Sequence, residues 1–247
     1  MTMAEVFKQY LEHLFTGKRC QARELIFAAH DRAITASRLL KLVIWPAMEQ
    51  VDKLYRANEI SRLTEQMAVR INRMLADQLC GFLARKPKSG KRIVVISGKA
   101  DTEELGAQIT ADLFEGEGWS VWFLGGRVPN DEVLEFVGKI KADLLCIYAP
   151  QPQDVPNIRN LIALIRSVGV CQEMQILACG GVFNRAPGLA EEIRADLYAP
   201  SAADALKSIE AHPVRIPLPD VPEPGRRRKK RKRPLPAARR LRAAFRA

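Results

Sequence analysis

An apolar run, Ile93-Val-Val-Ile96, is followed at once by Ser97-Gly-Lys-Ala-Asp-Thr-Glu-Glu-Leu-Gly106. Small and acidic residues placed directly after a buried strand sit where open α/β sheets bind their ligands. Asp101, Thr102, Glu103 and Gly106 are therefore candidate binding positions. Tyr148-Ala-Pro150 and the pair Gly180-Gly181 follow two later apolar runs and stand at equivalent points. Three common chemistries fail on these residues. A dinucleotide site needs G-x-G-x-x-G after the first strand, and this loop lacks it. A phosphate loop needs Gly five residues before Gly-Lys and a hydroxyl after it, but Gly98-Lys99 has Ile93 and Ala100 there. A phospho-receiver needs a carboxylate where Tyr148 stands.

Several of these residues have a purely structural reading. Asp101 with Glu104 three residues on fits a helix-capping box. Glu103 fits a first-turn acid favoured by the helix dipole. Gly180 and Gly181 suit a tight turn with or without a ligand. No paired acid and base, nucleophile or metal cluster marks the chain as an enzyme by itself.

The elements that position these residues fall into three regions: 1–85, 92–211 and 212–247. In the first, Val6, Tyr10 and Leu14 run beside Phe7, Leu11 and Phe15 at helical spacing, and Gly17 ends the segment. Further helices are expected around Leu25 to Ala29 and Leu39 to Leu54. The latter restarts or kinks at Pro46, and a last helix runs through Leu63 to Leu75. This predicts a helical bundle cap. Lys86 to Lys91 reads as a linker. Region 92–211 alternates apolar runs with helical segments. Ile93–Ile96, Val121–Leu124, Leu144–Ile147 and Gln175–Ala178 read as strands buried on both faces, with a short fifth strand at Asp196-Leu-Tyr198. The pattern predicts an α/β, flavodoxin/Rossmann-like domain with a five-stranded parallel sheet in order 2-1-3-4-5, the cap resting over the strands' carboxyl ends.

No run of eighteen apolar residues occurs in the 247, and the N-terminus lacks a basic start and apolar centre. Both point to the cytoplasm. Cys20, Cys80, Cys146, Cys171 and Cys179 are scattered, which suits reduced thiols rather than disulfides or a zinc site.

The cap and sheet motifs resemble the cobalamin-binding domain family, which includes methionine synthase, corrinoid methyl carriers and light-sensing cobalamin-dependent repressors. The resemblance spans roughly residues 35–210. Ile44-Trp-Pro-Ala-Met-Glu-Gln-Val-Asp-Lys-Leu-Tyr-Arg-Ala-Asn-Glu59 resembles the family's cap signature. Asp101-Thr-Glu-Glu-Leu-Gly106 stands where the family has D-x-H-x-x-G. Gly125-Gly-Arg-Val-Pro129, Gly180-Gly181 and Arg194-Ala-Asp-Leu-Tyr-Ala-Pro200 resemble its later motifs. The resemblance implies a corrinoid between cap and sheet, its cobalt ligated from below by the motif His. The Asp orients that imidazole, and the displaced nucleotide tail lies in a slot beside the sheet.

Here Glu103 replaces the His as the only metal-ligand candidate, and a carboxylate is a poorer cobalt ligand than imidazole. Tyr148 replaces the usual serine and narrows the tail slot. The repressors' W-x9-E-H appears as Tyr55, Glu65 and Gln66, so only the Glu is kept. Tyr55 and Trp45 also read as bundle core. The expected ligand is cobalamin without imidazole ligation, with haem or no ligand as the alternatives.

The net charge of +11 is uneven: residues 226–247 hold twelve Arg or Lys and no acid, which leaves −1 for the rest. Five prolines in 213–225 make an extended linker before the eight consecutive cations Arg226, Arg227, Arg228, Lys229, Lys230, Arg231, Lys232 and Arg233. Such a run favours nucleic acid or another polyanion, with anionic membrane as a competitor, although it also reads as a solvated charge run. The function expected first is a ligand sensor or transcriptional regulator with a DNA-binding tail, and a homo-oligomer is among the expected assemblies. A corrinoid methyl carrier of a methyltransferase system and a ligand-free interaction protein are the alternatives. Deleting residues 226–247 should abolish duplex DNA binding at low salt. With about six phosphates neutralised, log K should fall against log salt with a slope of about −5. Salt-independent binding contradicts this expectation.

Overall fold

The computed structural model describes residues 2–98 and 104–217. Helix α1 (Met3–Phe15) starts in a capping box: Thr2 accepts from the Glu5 backbone N–H, and the Glu5 carboxylate accepts from the Thr2 N–H. It buries Val6, Tyr10 and Leu14 and stops before Gly17, whose φ is +67°. Helices α2 (Arg19–Asp31) and α3 (Ala36–Leu39) follow. Pro46 does not break the next helix. A π-turn, Leu40–Ile44, with the Trp45 N–H donating to the Leu40 carbonyl, precedes it and runs directly into α4 (Trp45–Arg56). The wider turn offsets the loss of the proline's missing N–H. Asn58, at φ +56°, ends that segment, and Ser61 caps α5 (Arg62–Cys80).

The cap core holds one polar knot. Tyr10 Oη donates to Asn72 Oδ1 at 2.8 Å, and Asn72 Nδ2 donates to the Ile44 carbonyl at 3.1 Å. Burial holds the Tyr10 phenol well above its ordinary pKa, so it stays a donor. The knot joins α1, α5 and the π-turn.

Five parallel strands follow: β1 (Arg92–Ser97), β2 (Ser120–Gly125), β3 (Leu144–Tyr148), β4 (Gln175–Cys179) and β5 (Leu197–Ala199). Their order is β2-β1-β3-β4-β5, as expected. Helices α6 (Leu105–Gly116), α7 (Asn130–Ile140) and α8 (Val155–Val168) make the first three crossovers. The fourth uses two short helices, α9 (Gly181–Arg185) and α10 (Leu189–Glu192), and α11 (Ala202–Ala211) closes the fold. One expectation needs correction. β2 takes the edge position that the expected order gives it, but it is only partly buried rather than buried on both faces, and Phe123 is 38% exposed. A continuous apolar run cannot by itself separate a fully buried strand from one whose two faces are only partly covered.

Alternate side chains of the sheet enter two cores. Ile93, Val95, Leu144, Cys146 and Leu177 join α6, α11 and the whole cap in one cluster. Val94, Ile96, Leu145 and Ile147 face α7 and α8 in the other. The linker lies along the α6–β2 turn: the Lys86 N–H donates to the Gly116 carbonyl and the Ser89 N–H to that of Gly118. At Gly118, φ +87°, a Cβ would come within 2.2 Å of the Pro87 carbonyl oxygen. Residues 1–217 form one compact unit. Cys146 and Cys179 are buried free thiols. Among the described residues, no helix is long and apolar enough to cross a membrane.

The knot sets a stability test. Asn72→Ala leaves the buried Tyr10 hydroxyl without its acceptor and should cost about 2–3 kcal/mol in denaturant unfolding. Tyr10→Phe with Asn72→Leu should recover part of that loss. Equal stability of Asn72→Ala and the parent contradicts the knot's role.

Candidate functional site

The carboxyl ends of the strands meet the cap, as expected from the sequence. Asp101, Thr102 and Glu103 lie outside the described residues. Glu104, the next residue, directly precedes α6. Its carboxylate accepts from the Gly126 N–H at 2.9 Å and lies 3.5 Å from Ser97 Oγ. Arg73 of α5 reaches the other oxygen at 3.4 Å. Glu104 thus ties the ends of β1 and β2 to the cap. The sequence reading placed it only in a capping box and missed Arg73. The available signal was the polar stripe Arg73, Asp77 and Cys80 at helical spacing on α5.

That stripe continues the seam. Asp77 accepts from Gln108 of α6, and Cys80 meets Asp112. Burial, opposed by the Cys80 hydrogen bond and reinforced by Asp77 and Glu115, pushes the Asp112 carboxyl up to about 6. Burial and the Asp112 charge push the Cys80 thiol up to about 11. On the other side of the cap, Asp52 of α4 lies 3.7 Å from Arg185 of α9. Burial also pushes the Glu49 carboxyl up.

Tyr148 ends β3 and is only 5% exposed. Its ring lies against Gly106: a Cβ at residue 106 would sit 2.3 Å from Cζ and 2.4 Å from Oη. From the cap, Trp45 packs edge-on against the same ring, with centroids 6.0 Å apart and planes at 86°. Trp45 is therefore core, as one reading held, but core that reaches the sheet edge. Gly180 has φ +109°, and a Cβ there would lie 2.9 Å from Ala149 backbone atoms. The Ala149 N–H donates to the Cys179 carbonyl, and the Val182 N–H donates to the Ala149 carbonyl. The glycine is thus required by the close approach of two loops. At Gly181 a Cβ would meet Arg185 Nη1 at 2.6 Å, and Arg185 also donates to the Pro150 carbonyl.

The structure brings together Gly106, Tyr148, Gly180 and Gly181. Among the described residues, Tyr55 and Glu65 make their hydrogen bonds elsewhere. Tyr55 accepts from Arg62, and Glu65 accepts from Gln66, both within the cap. The three histidines are elsewhere: His13 in α1, His30 on the Ile34 carbonyl and His212 on that of Ser208. At this edge, on the sheet's other face, a cavity of about 240 Å³ is lined by Ser97, Gly98, Arg127, Asn130, Asp154 and Asn157.

Two models described as B12 binding domains match the chain, one over residues 91–209 and one over residues 6–79. Dimethylamine corrinoid protein 1 of Methanosarcina acetivorans is 21% identical over 211 residues, covering 83% of this chain and 96% of that protein. Trimethylamine corrinoid protein 2 of the same organism is 27% identical over 51% of this chain and 58% of its own length. The monomethylamine corrinoid protein of Methanosarcina barkeri shares the fold, with a TM-score of 0.73 at 20% identity. That match covers 83% of this chain and 97% of the other. Neither family model extends past residue 209, so the basic run 226–233 lies beyond both, as it lies outside the described residues.

The seam makes a pH prediction. The Asp112 pKa in the folded chain, about 6, is above the ordinary 3.8, so folding favours its protonated form. The stabilisation is full below about pH 4 and is lost as pH rises through about 6. Asp112→Asn should therefore be more stable than the parent at pH 8, by up to about 3 kcal/mol, with the gap closing below pH 4. Parallel pH profiles of unfolding contradict this.

Proposed function

The chain belongs to the B12-binding domain family, and from that premise we propose that it is a corrinoid-carrier-type subunit, holding a corrinoid at the sheet's carboxyl edge and presenting it to a methyltransferase-type partner. The observation that carries this reading is the tandem of two B12-binding matches, one on the cap and one on the sheet, within a fold shared over 83% of this chain and 97% of a corrinoid protein. The relatives named above are corrinoid proteins, which puts the carrier ahead of the sensor or regulator expected first. Of the acids described at this edge, Glu104 pairs with Arg73 and Asp52 with Arg185, which supports binding and presentation as the chain's own part.

The residues present do not fit the family cofactor in its imidazole-ligated form with the nucleotide tail inserted. The position that would hold the imidazole is Glu103. The slot beside α6 is occupied by the Tyr148 ring. What the edge retains is a cap joined to it by the partly buried ion pairs Arg73–Glu104 and Asp52–Arg185, beside Gly106, Gly180 and Gly181. Such pairs contribute about 0–1 kcal/mol each, so they hold the cap without locking it. A second reading, a ligand-free interaction protein, is favoured by the direct Trp45–Tyr148 contact.

Gel filtration after incubation with hydroxocobalamin or cobinamide separates the two. The carrier reading predicts corrin absorbance comigrating with the protein at one equivalent. It also predicts that Glu103→His tightens cobinamide binding about tenfold by supplying the lower ligand beside Asp101. No comigration with either corrinoid, in parent or variant, contradicts the carrier reading and leaves the ligand-free one.

A further inference from the structure

The contact between Tyr148 and Gly106 reaches beyond the choice of carrier. Residue 106 lies in the first turn of α6, and Tyr148 is the last residue of the central strand β3. The missing Cβ at Gly106 opens a gap between helix and sheet, and the phenol fills it. The ring belongs to the same buried cluster as Cys179 of β4, Ala199 of β5 and Ala202 and Leu206 of α11. Trp45 covers it from the cap. Thr110 Oγ1 donates to the Gly106 carbonyl at 2.7 Å and so fixes the turn of α6 that carries the glycine. Protein interiors at this density accept no further group without displacing one.

We infer that Tyr148 is a plug: this chain takes corrinoids with the nucleotide outside the sheet, either complete cobalamins whose own base stays on cobalt or corrinoids without a nucleotide. The inference rests on the carrier reading and adds the ligand form to it. Gly106 is then kept for the tyrosine rather than for a nucleotide. The tail makes no contact inside the domain, so its removal costs little affinity. A plug also makes the ligand form adjustable at one position, because a small residue at 148 reopens the gap while Gly106, Gly180 and Gly181 remain.

The test uses the full-length protein with reduced, paramagnetic cob(II)alamin and cob(II)inamide, followed by electron paramagnetic resonance and affinity titration. The plug predicts that bound cob(II)alamin keeps nitrogen hyperfine splitting from its own base, unchanged when the protein is labelled with 15N. It predicts affinities for the two corrinoids within about threefold of each other. In Tyr148→Ser, cobalamin should gain about tenfold over cobinamide as the tail finds the opened gap. Cob(II)alamin bound to the parent without nitrogen splitting overturns the inference, since the tail would be displaced despite Tyr148. A parent preference for cobalamin of tenfold or more, or an unchanged ratio in Tyr148→Ser, also overturns it. Binding only by Tyr148→Ser overturns it too, since the ring would then exclude the whole cofactor. Failure of parent and variant to bind either corrinoid refutes the carrier reading itself.

Discussion

Tyr148 can lie between β3 and α6 because residue 106 has no side chain, and much of the molecule follows from that contact. The ring continues the sheet's apolar column upward until it meets Trp45. Cap and sheet therefore share one hydrophobic cluster. Burying a large apolar side chain contributes about 1.5–3 kcal/mol, more than a half-exposed ion pair supplies. The cap's position is thus held mainly by Trp45 and its neighbours. Arg73–Glu104 and Asp52–Arg185 add two ion pairs between the cap and the sheet's loops.

The polar seam and the apolar contact have different consequences for function. Trp45 and Tyr148 close the gap between helix and sheet, whereas the seam of Asp77, Gln108, Cys80 and Asp112 runs along the α5–α6 boundary. Opening the cap to seat a flat ligand would break the Trp45 contact and the ion pairs. The buried column below Tyr148 would stay intact. A domain built this way can admit a macrocycle at its edge more readily than a substituent within its core.

Much of the fold was readable because periodicity reports burial. The cap helices, the order of the strands and the disturbance at Pro46 all follow from local patterns. The partial burial of β2 did not, because Val121-Trp-Phe-Leu124 is apolar whether its faces are covered fully or in part. Of the site, Tyr148 and the Gly180-Gly181 pair stood out by position, and the sequence already suggested that Tyr148 narrows a slot. The partner that makes it a plug, Gly106 beneath the ring, emerges only from the packing of α6 on β3. Glu104 and Arg73 were missed for the same reason: they are 31 residues apart, and no local rule pairs them. Tyr55 and Glu65, chosen by resemblance to the W-x9-E-H motif, find hydrogen-bond partners inside the cap.

The most direct measurement is a crystal structure of the full-length protein loaded with hydroxocobalamin. The Tyr148 ring should remain against Gly106, the corrin should lie at the carboxyl edge beneath a raised Trp45, and the nucleotide should stay outside the sheet. A tyrosine swung out of the gap with the nucleotide between α6 and β3 would contradict this.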